Sequence, residues 1–429
     1  MQDMLLLTPG IPHPAQPGAS MRSWRMLRHL SGSYRVHLGC FADDSVDRRH
    51  EGFVRQFCHS VFFARSERPP SRKAASAGLL NLGRSRHPVR DAALMAWVER
   101  VWNERRPTRV LALCPTMAPY ALMRPDLPAR RVLDRSDIGG DALNDGALND
   151  GPPTDGWRPT QGIWRWLQAR ELRALMLLDQ HRLAPWDASL LNSGPAVDRL
   201  RQLLPEVACR IHHVPDGIDT VRFSPGGHYA APPSFDGRAI MLAGLPAAPG
   251  AGLADSGAHA EAASWFATQV LPKVLAVASD CRLVVASSGP APPLPHPVGH
   301  SGVILATDVQ DIRPWLAQAT VVVAPFRTPN PRPVLEAMAM ARPVVAAPGA
   351  LGGYLEQIER DLWLAGEPAD FAHAVLAALH PPLGTAVGRA ARARIVAGHS
   401  WEAGLARLDA VLEGRAIPRA ERARPITLG

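Results

Sequence analysis

The segment Val321–Pro348, VVVAPFRTPNPRPVLEAMAMARPVVAAP, holds the residues best spaced for chemistry. An apolar run ends at Ala324, and a proline-rich loop carrying Arg327, Asn330 and Arg332 follows. A helix is predicted over Val334–Met340, opened near Pro333, because a proline at the first helical position loses only an N–H that had no partner there. Glu336 then falls in the first turn, facing the strand ends. A carboxylate so placed accepts two ribose hydroxyls, as an acidic residue does in dinucleotide folds. It equally offsets the helix dipole, an effect worth about 0.3–1 kcal/mol. The spacing leaves both readings open.

Two glycine-bearing loops offer a second kind of chemistry. Pro9–Ser20 contains Gly18 and ends on Ser20, a suitable helix N-cap, with Arg22 in the turn that follows. Backbone N–H groups, the positive end of a helix and a fixed cation together suit an anion; the same residues also make a plain strand-to-helix loop. Ala350–Glu356, ALGGYLE, sets Gly352 and Gly353 after another strand, where the main chain can approach a phosphate or sugar. A simple loop is equally consistent. Asp134–Asp137, DRSD, has the spacing of a weak metal motif but equally caps the next element. His13, His212 and His213 fall in loops or at strand ends and read as solvated or structural. No carboxylate cluster suits a divalent ion, so no metal is expected.

These residues need elements to hold them. Strands are predicted at Met4–Thr8, Tyr34–Cys40, Ser60–Ala64, Val110–Cys114, Arg131–Leu133 and Ser189–Leu191, with a helix over Met21–Leu30. Leu94, Trp97, Val98 and Val101 recur on one face of another helix. The alternation resets near Val207–Pro225, where Ile211–Val214 is read as a short strand, and resumes with strands at Ile240–Ala243, Leu283–Ala286, Val303–Leu305, Thr320–Ala324 and Pro343–Ala346. Strand and helix in this rhythm imply two doubly wound α/β domains, with ligands at the carboxyl ends of the strands. The domains are placed at residues 1–205 and 206–398, with a terminal helix over 399–416. Between Gly139 and Thr160 a direct repeat, ALNDG ALNDG, is read as a flexible surface insertion.

Composition limits the alternatives. The 429 residues exceed one ordinary core, and 46% hydrophobic with 20% charged residues describes a folded chain. No apolar run approaches the roughly 18 residues of a membrane span, and the short Met4–Thr8 run is too brief for a signal peptide. Five scattered cysteines fit neither a disulfide framework nor a zinc site, which points to a reduced, cytoplasmic setting. The net charge of +8 comes from arginine, since only Lys73 and Lys273 are lysines. That charge is spread along the chain without a basic stripe, so nucleic acid is not an expected partner. A mild attraction to acidic lipid headgroups or to anionic substrates is compatible with it.

The blocks VLEAMAMARPVVA around Glu336, VPDGIDTVRFSP at Val214–Pro225 and GG-x-x-E at Gly352–Glu356 resemble glycosyltransferase family 4, retaining enzymes of GT-B architecture. IPHPAQPGASMRSWRMLRHL, DIRPWL and HSWEAGLARLD further resemble the sugar transferases associated with PEP-CTERM/exosortase systems and exopolysaccharide production. The resemblance implies two Rossmann-like domains facing across a cleft and a terminal helix near Trp401–Leu412 that crosses back to the first. It implies a nucleotide-sugar donor, which is a substrate and not a cofactor, and a lipid-linked or saccharide acceptor. Glu336 matches the residue that holds the donor ribose, and Gly18 the glycine whose loop meets the diphosphate. The donor-binding set is thus Gly18, Arg22, Arg327, Asn330, Arg332, Glu336, Gly352 and Gly353, with no catalytic residue assigned. Four departures stand out. Thr328 replaces the wider family's second glutamate, Leu242–Gly257 lacks its basic pair, TPNPRP replaces the closer family's Gly/Asn/Lys loop, and Pro17–Ser20 stands where that family's first loop reads KGDK. They keep two rivals in view: a GT-B protein that binds without turnover, and a nucleotide-sugar epimerase, against which the HSWE block argues.

Overall fold

The computed structural model describes residues 1–14, 19–42, 45–65, 91–136, 185–232, 237–244, 253–289, 302–328, 330–354, 358 and 361–416. Gly18 and the ALNDG repeat lie outside them. The described strands form two separate sheets in which every pair is parallel.

The first sheet runs β3-β2-β1-β4-β5-β6-β7. Its strands are β1 (Gln2–Thr8), β2 (Tyr34–Phe41), β3 (Ser60–Ala64), β4 (Arg109–Leu113), β5 (Arg130–Asp134), β6 (Ala188–Leu191) and β7 (Ile211–His213). β1 shows why the sequence reads as a continuous apolar run. Met4 and Leu6 enter one core cluster, Leu5 and Leu7 another, so both faces are covered. The helices α1 (Ala19–Leu30), α2 (Ser45–Arg55), α3 (Ala92–Arg105) and α4 (Gly194–Leu203) accompany this sheet. Asp91 caps α3 by accepting the Leu94 N–H at 2.7 Å, an arrangement worth about 1 kcal/mol.

The second sheet runs β10-β9-β8-β11-β12-β13. It comprises β8 (Arg238–Leu242), β9 (Cys281–Ala286), β10 (Val303–Ala306), β11 (Val321–Ala324), β12 (Val344–Ala346) and β13 (Trp363–Leu364). Its helices include α5 (Leu253–Trp265), α6 (Pro331–Ala339), α7 (Pro368–Ala378) and α8 (Pro381–Arg394). Gly388 of α8 allows the close approach to α6, since a Cβ there would meet the Ala341 carbonyl.

The last helix, α9 (Trp401–Glu413), spans a chain division. Residues Met1–Pro215 and Leu405–Pro418 form one compact unit, and Asp216–Gly404 the core of the other. Leu408, Val411 and Leu412 share a cluster with Met4, Trp24 and Leu27. Each such side chain contributes about 1.5–3 kcal/mol on burial. His29 of α1 reaches Asp409 at 2.8 Å, and Arg130 donates to the Val411 carbonyl at 2.6 Å.

Two boundaries differ from the sequence reading. The first unit extends to Pro215, not to 205, because Ile211–His213 pairs in parallel with Ser189–Leu191 and so completes the first sheet. The α6 helix begins at Pro331, not near Pro333, which places Glu336 in its second turn.

Candidate functional site

At the carboxyl ends of β11 and β12, two loops are stitched together. The Asn330 N–H donates to the Ala350 carbonyl at 2.9 Å. Gly349 lies so near the Arg327 carbonyl that a Cβ would sit 2.6 Å from it. Arg327, Asn330, Arg332, Glu336, Gly352 and Gly353 therefore all follow the ends of these adjacent strands. Gly352, at φ +49°, opens the turn Gly352–Tyr354. Thr328 and Arg327 are exposed.

Glu336 is the centre of charge. Its side chain keeps 13% exposure and pairs with Arg332, one turn earlier on α6, at 2.9 Å. Burial pushes the carboxyl above the usual carboxylate range, opposed by Arg332 and by Arg222. Arg222 comes from the VPDGIDTVRFSP block. Its segment is held to the end of α6 by Arg392, which donates to the carbonyls of Phe223 at 3.0 Å and of Ala339. Nothing in the sequence spacing pointed to Arg222, because its neighbour in space lies more than a hundred residues away.

The start of α6 is a poor cradle for anions by itself. Pro331 and Pro333 both lack an N–H, so the first turn offers fewer donors than an ordinary helix. Positive charge near this site comes from side chains.

Arg22 takes a different place from the one expected of it. Its guanidinium donates to Asp134 at 2.7 Å and to the Val214 carbonyl at 3.0 Å, with both side chains buried. Asp134 in turn accepts from the Ser136 hydroxyl. The pair ties α1 to the ends of β5 and β7 and accounts for the first aspartate of the DRSD block; Asp137 lies outside the described residues. In the same unit Cys114 follows β4 at φ +100°, a conformation side chains rarely adopt, with its N–H donating to the Asp134 carbonyl at 3.0 Å. Such strain commonly marks functional positions. His213 is half-buried, its ring pushed down to about 4 by desolvation, and lies 3.1 Å from the Asn192 carbonyl. His13 packs its ring 3.5 Å from that of His50.

The order of the second sheet reverses between β8 and β11, its two central strands. In open α/β sheets ligands occupy the crevice at such a point. Gly244, just past β8, has φ +94°, and a Cβ there would lie 3.0 Å from the Pro333 ring. His259 of α5 is buried beside Phe326, ring centroids 6.1 Å apart. Neither Gly244 nor His259 was singled out by the sequence pattern.

Comparison with known proteins bears on the fold. Residues 254–380 match the family model described as Glycosyl transferases group 1. No curated protein matches the sequence. Among solved structures, the chain is similar to HepE of Anabaena in complex with UDP and glucose, at 15% identity and a TM-score of 0.53, covering 95% of this chain and 99% of that one. A glycosyltransferase from Rickettsia africae is similar at 11% identity and a TM-score of 0.58, covering 96% and 98%. Sucrose-phosphate synthase from Thermosynechococcus elongatus is similar at 14% identity and a TM-score of 0.56, covering 96% and 99%. The fold is thus the two-sheet α/β fold seen in GT-B glycosyltransferases, and the match to the group 1 model falls within the second unit. Among the described residues, no helix is long and apolar enough to cross a membrane.

Proposed function

We propose that the protein is a retaining glycosyltransferase that moves a hexose from a nucleoside-diphosphate donor to a lipid-linked or saccharide acceptor in exopolysaccharide synthesis. The observation that carries this reading is Glu336. It is a mostly buried carboxylate at the carboxyl ends of β11 and β12, inside the matched domain, with Arg332 and Arg222 acting on it. Ionised, it accepts the two ribose hydroxyls of the donor. The likeness to HepE, described with UDP and with UDP-glucose, makes uridine nucleotides the first donors to test.

The difficult part of the reaction is the charge on the departing diphosphate. In this reading Arg327 and the backbone N–H groups of the paired loops meet that charge, and no bound metal is required. The PEP-CTERM/exosortase association and a place at the cytoplasmic face of the inner membrane belong to the same proposal. They rest on the N-terminal and HSWE blocks.

Thr328 and the Arg332–Glu336 pair favour a second reading, in which the chain binds a sugar nucleotide without turnover. One assay separates the two. Purified protein is titrated calorimetrically with UDP, GDP, ADP and their glucose conjugates, and nucleoside-diphosphate release is then followed with and without chelator. Binding with release in chelator supports the transferase. Binding without release under any condition supports the second reading. Release that stops in chelator and returns with magnesium or manganese overturns the metal-free mechanism.

A further inference from the structure

His259 is 4% exposed, and neither ring nitrogen has a hydrogen-bond partner of normal geometry. An imidazole always carries at least one N–H or lone pair to satisfy. Leaving such a group unmet in the interior costs about 1–3 kcal/mol, so buried polar atoms without partners call for an explanation. The surroundings are apolar or main chain: Phe326 lies on one side, and the Gly244 main chain interacts with one ring nitrogen without reaching normal hydrogen-bond geometry. Burial pushes the ring down to about 4, so it stands neutral at pH 7, with one N–H to give.

Its place in the sheet supplies the explanation. Gly244 follows β8, Phe326 follows β11, and these are the neighbouring strands between which the sheet order reverses. Pro333, in the first turn of Glu336's helix, touches Gly244. An apolar residue at position 259 would pack there without penalty. A histidine costs stability in the free protein, which is the pattern expected of a group completed by a ligand.

We propose that His259 is a donor-contacting residue whose ring N–H hydrogen-bonds a phosphate oxygen of the nucleotide at the β8–β11 crevice. This rests on the donor reading above and assigns a second contact to the same ligand, apart from the ribose contact of Glu336.

The test uses the full chain with His259→Leu and His259→Asn, the second retaining an N–H donor. UDP, GDP and ADP, and the corresponding nucleosides, are titrated against each protein, and free-protein melting temperatures are recorded. The Leu variant is expected to melt no lower than the wild type, to bind its diphosphate at least tenfold more weakly, and to bind the nucleoside as before. The Asn variant should recover diphosphate affinity to within about threefold. Wild-type diphosphate affinity in the Leu variant overturns the proposal and leaves the donor reading standing. Equal losses for nucleoside and diphosphate, with a lowered melting temperature, make the ring structural and also overturn it. A wild type that binds none of the nucleotides overturns both.

Discussion

Glu336 carries its charge against the pull of its surroundings. Burial raises its carboxyl pKa, and Arg332 and Arg222 reduce that rise without abolishing it. In the folded chain the group therefore keeps its proton to higher pH than in the unfolded chain, whose value is near 4.5. Between those values the folded state binds more protons, so ionising Glu336 lowers stability as pH rises through that window. Glu336→Gln should consequently melt at or above the wild type at pH 7, by calorimetry. Its affinity for nucleosides should fall roughly ten- to a hundredfold, the loss of about 1.5–3 kcal/mol for hydrogen bonds to a charged group. A variant that melts lower yet binds unchanged would make the carboxylate structural. Arg332 should then act through Glu336. In Arg332→Ala the carboxyl loses its nearest cation, so nucleoside binding should fail at a higher pH than in the wild type as acid is added. Superimposable pH profiles for the two proteins would defeat that expectation.

Some elements were legible in the sequence and others were not. The inner strands were, because a parallel strand covered on both faces must be apolar throughout, as Met4–Leu7 and Val321–Ala324 are. The start of α6 was misplaced because Pro331 and Pro333 both satisfy the rule for a first helical residue. The unit boundary was misplaced because the short strand at Ile211–Val214, legible as a strand, was assigned to the second domain; which sheet it joins is decided only by its pairing with β6. Arg22 looked like a ligand for anions because the sequence displays the cation but not Asp134, which lies 112 positions away. The loop residues after β11 and β12 were legible as a group, since strand ends and glycines mark them. Arg222, His259 and Cys114 were not, because their significance lies in spatial neighbours and in one dihedral angle. The blocks containing Gly217 and Trp401 were noted separately, and the structure joins them. The Ile218 N–H donates to the His399 carbonyl at 2.8 Å, and a Cβ on Gly217 would collide with the Trp401 main chain. Gly217→Ala should cost about 1–3 kcal/mol through that collision, seen as a fall of about 2–4 °C per kcal/mol in melting temperature. Gly226→Ala, with nothing within 4 Å of the added atom, is the matched control and should melt like the wild type.

Taken whole, the chain makes its first compact unit from both its early and its late residues. The α9 side chains Leu408, Val411 and Leu412 are fully buried in a cluster otherwise built from the first 214 residues. Leu408→Asp would place a charge without a partner in that cluster, a loss on the order of 3–5 kcal/mol. Limited proteolysis followed by mass spectrometry should then show new cleavages in β1, β2 and α1, with Asp216–Gly404 protected as before. Cleavage spread evenly over both units would show that they do not unfold separately.

That discontinuity fixes an order of events during synthesis. A nascent chain presents Met1–Pro215 first, but the helix that closes its core follows only after all of Asp216–Gly404 has been made. At about 5–20 residues per second the interval is roughly ten to forty seconds. For that time Met4, Trp24 and Leu27 lack the apolar surface of α9, while the second unit can finish folding on its own residues. The part of the protein translated first is thus the part completed last. Its exposed apolar face is where a chaperone, or a premature encounter with another nascent chain, has its opportunity.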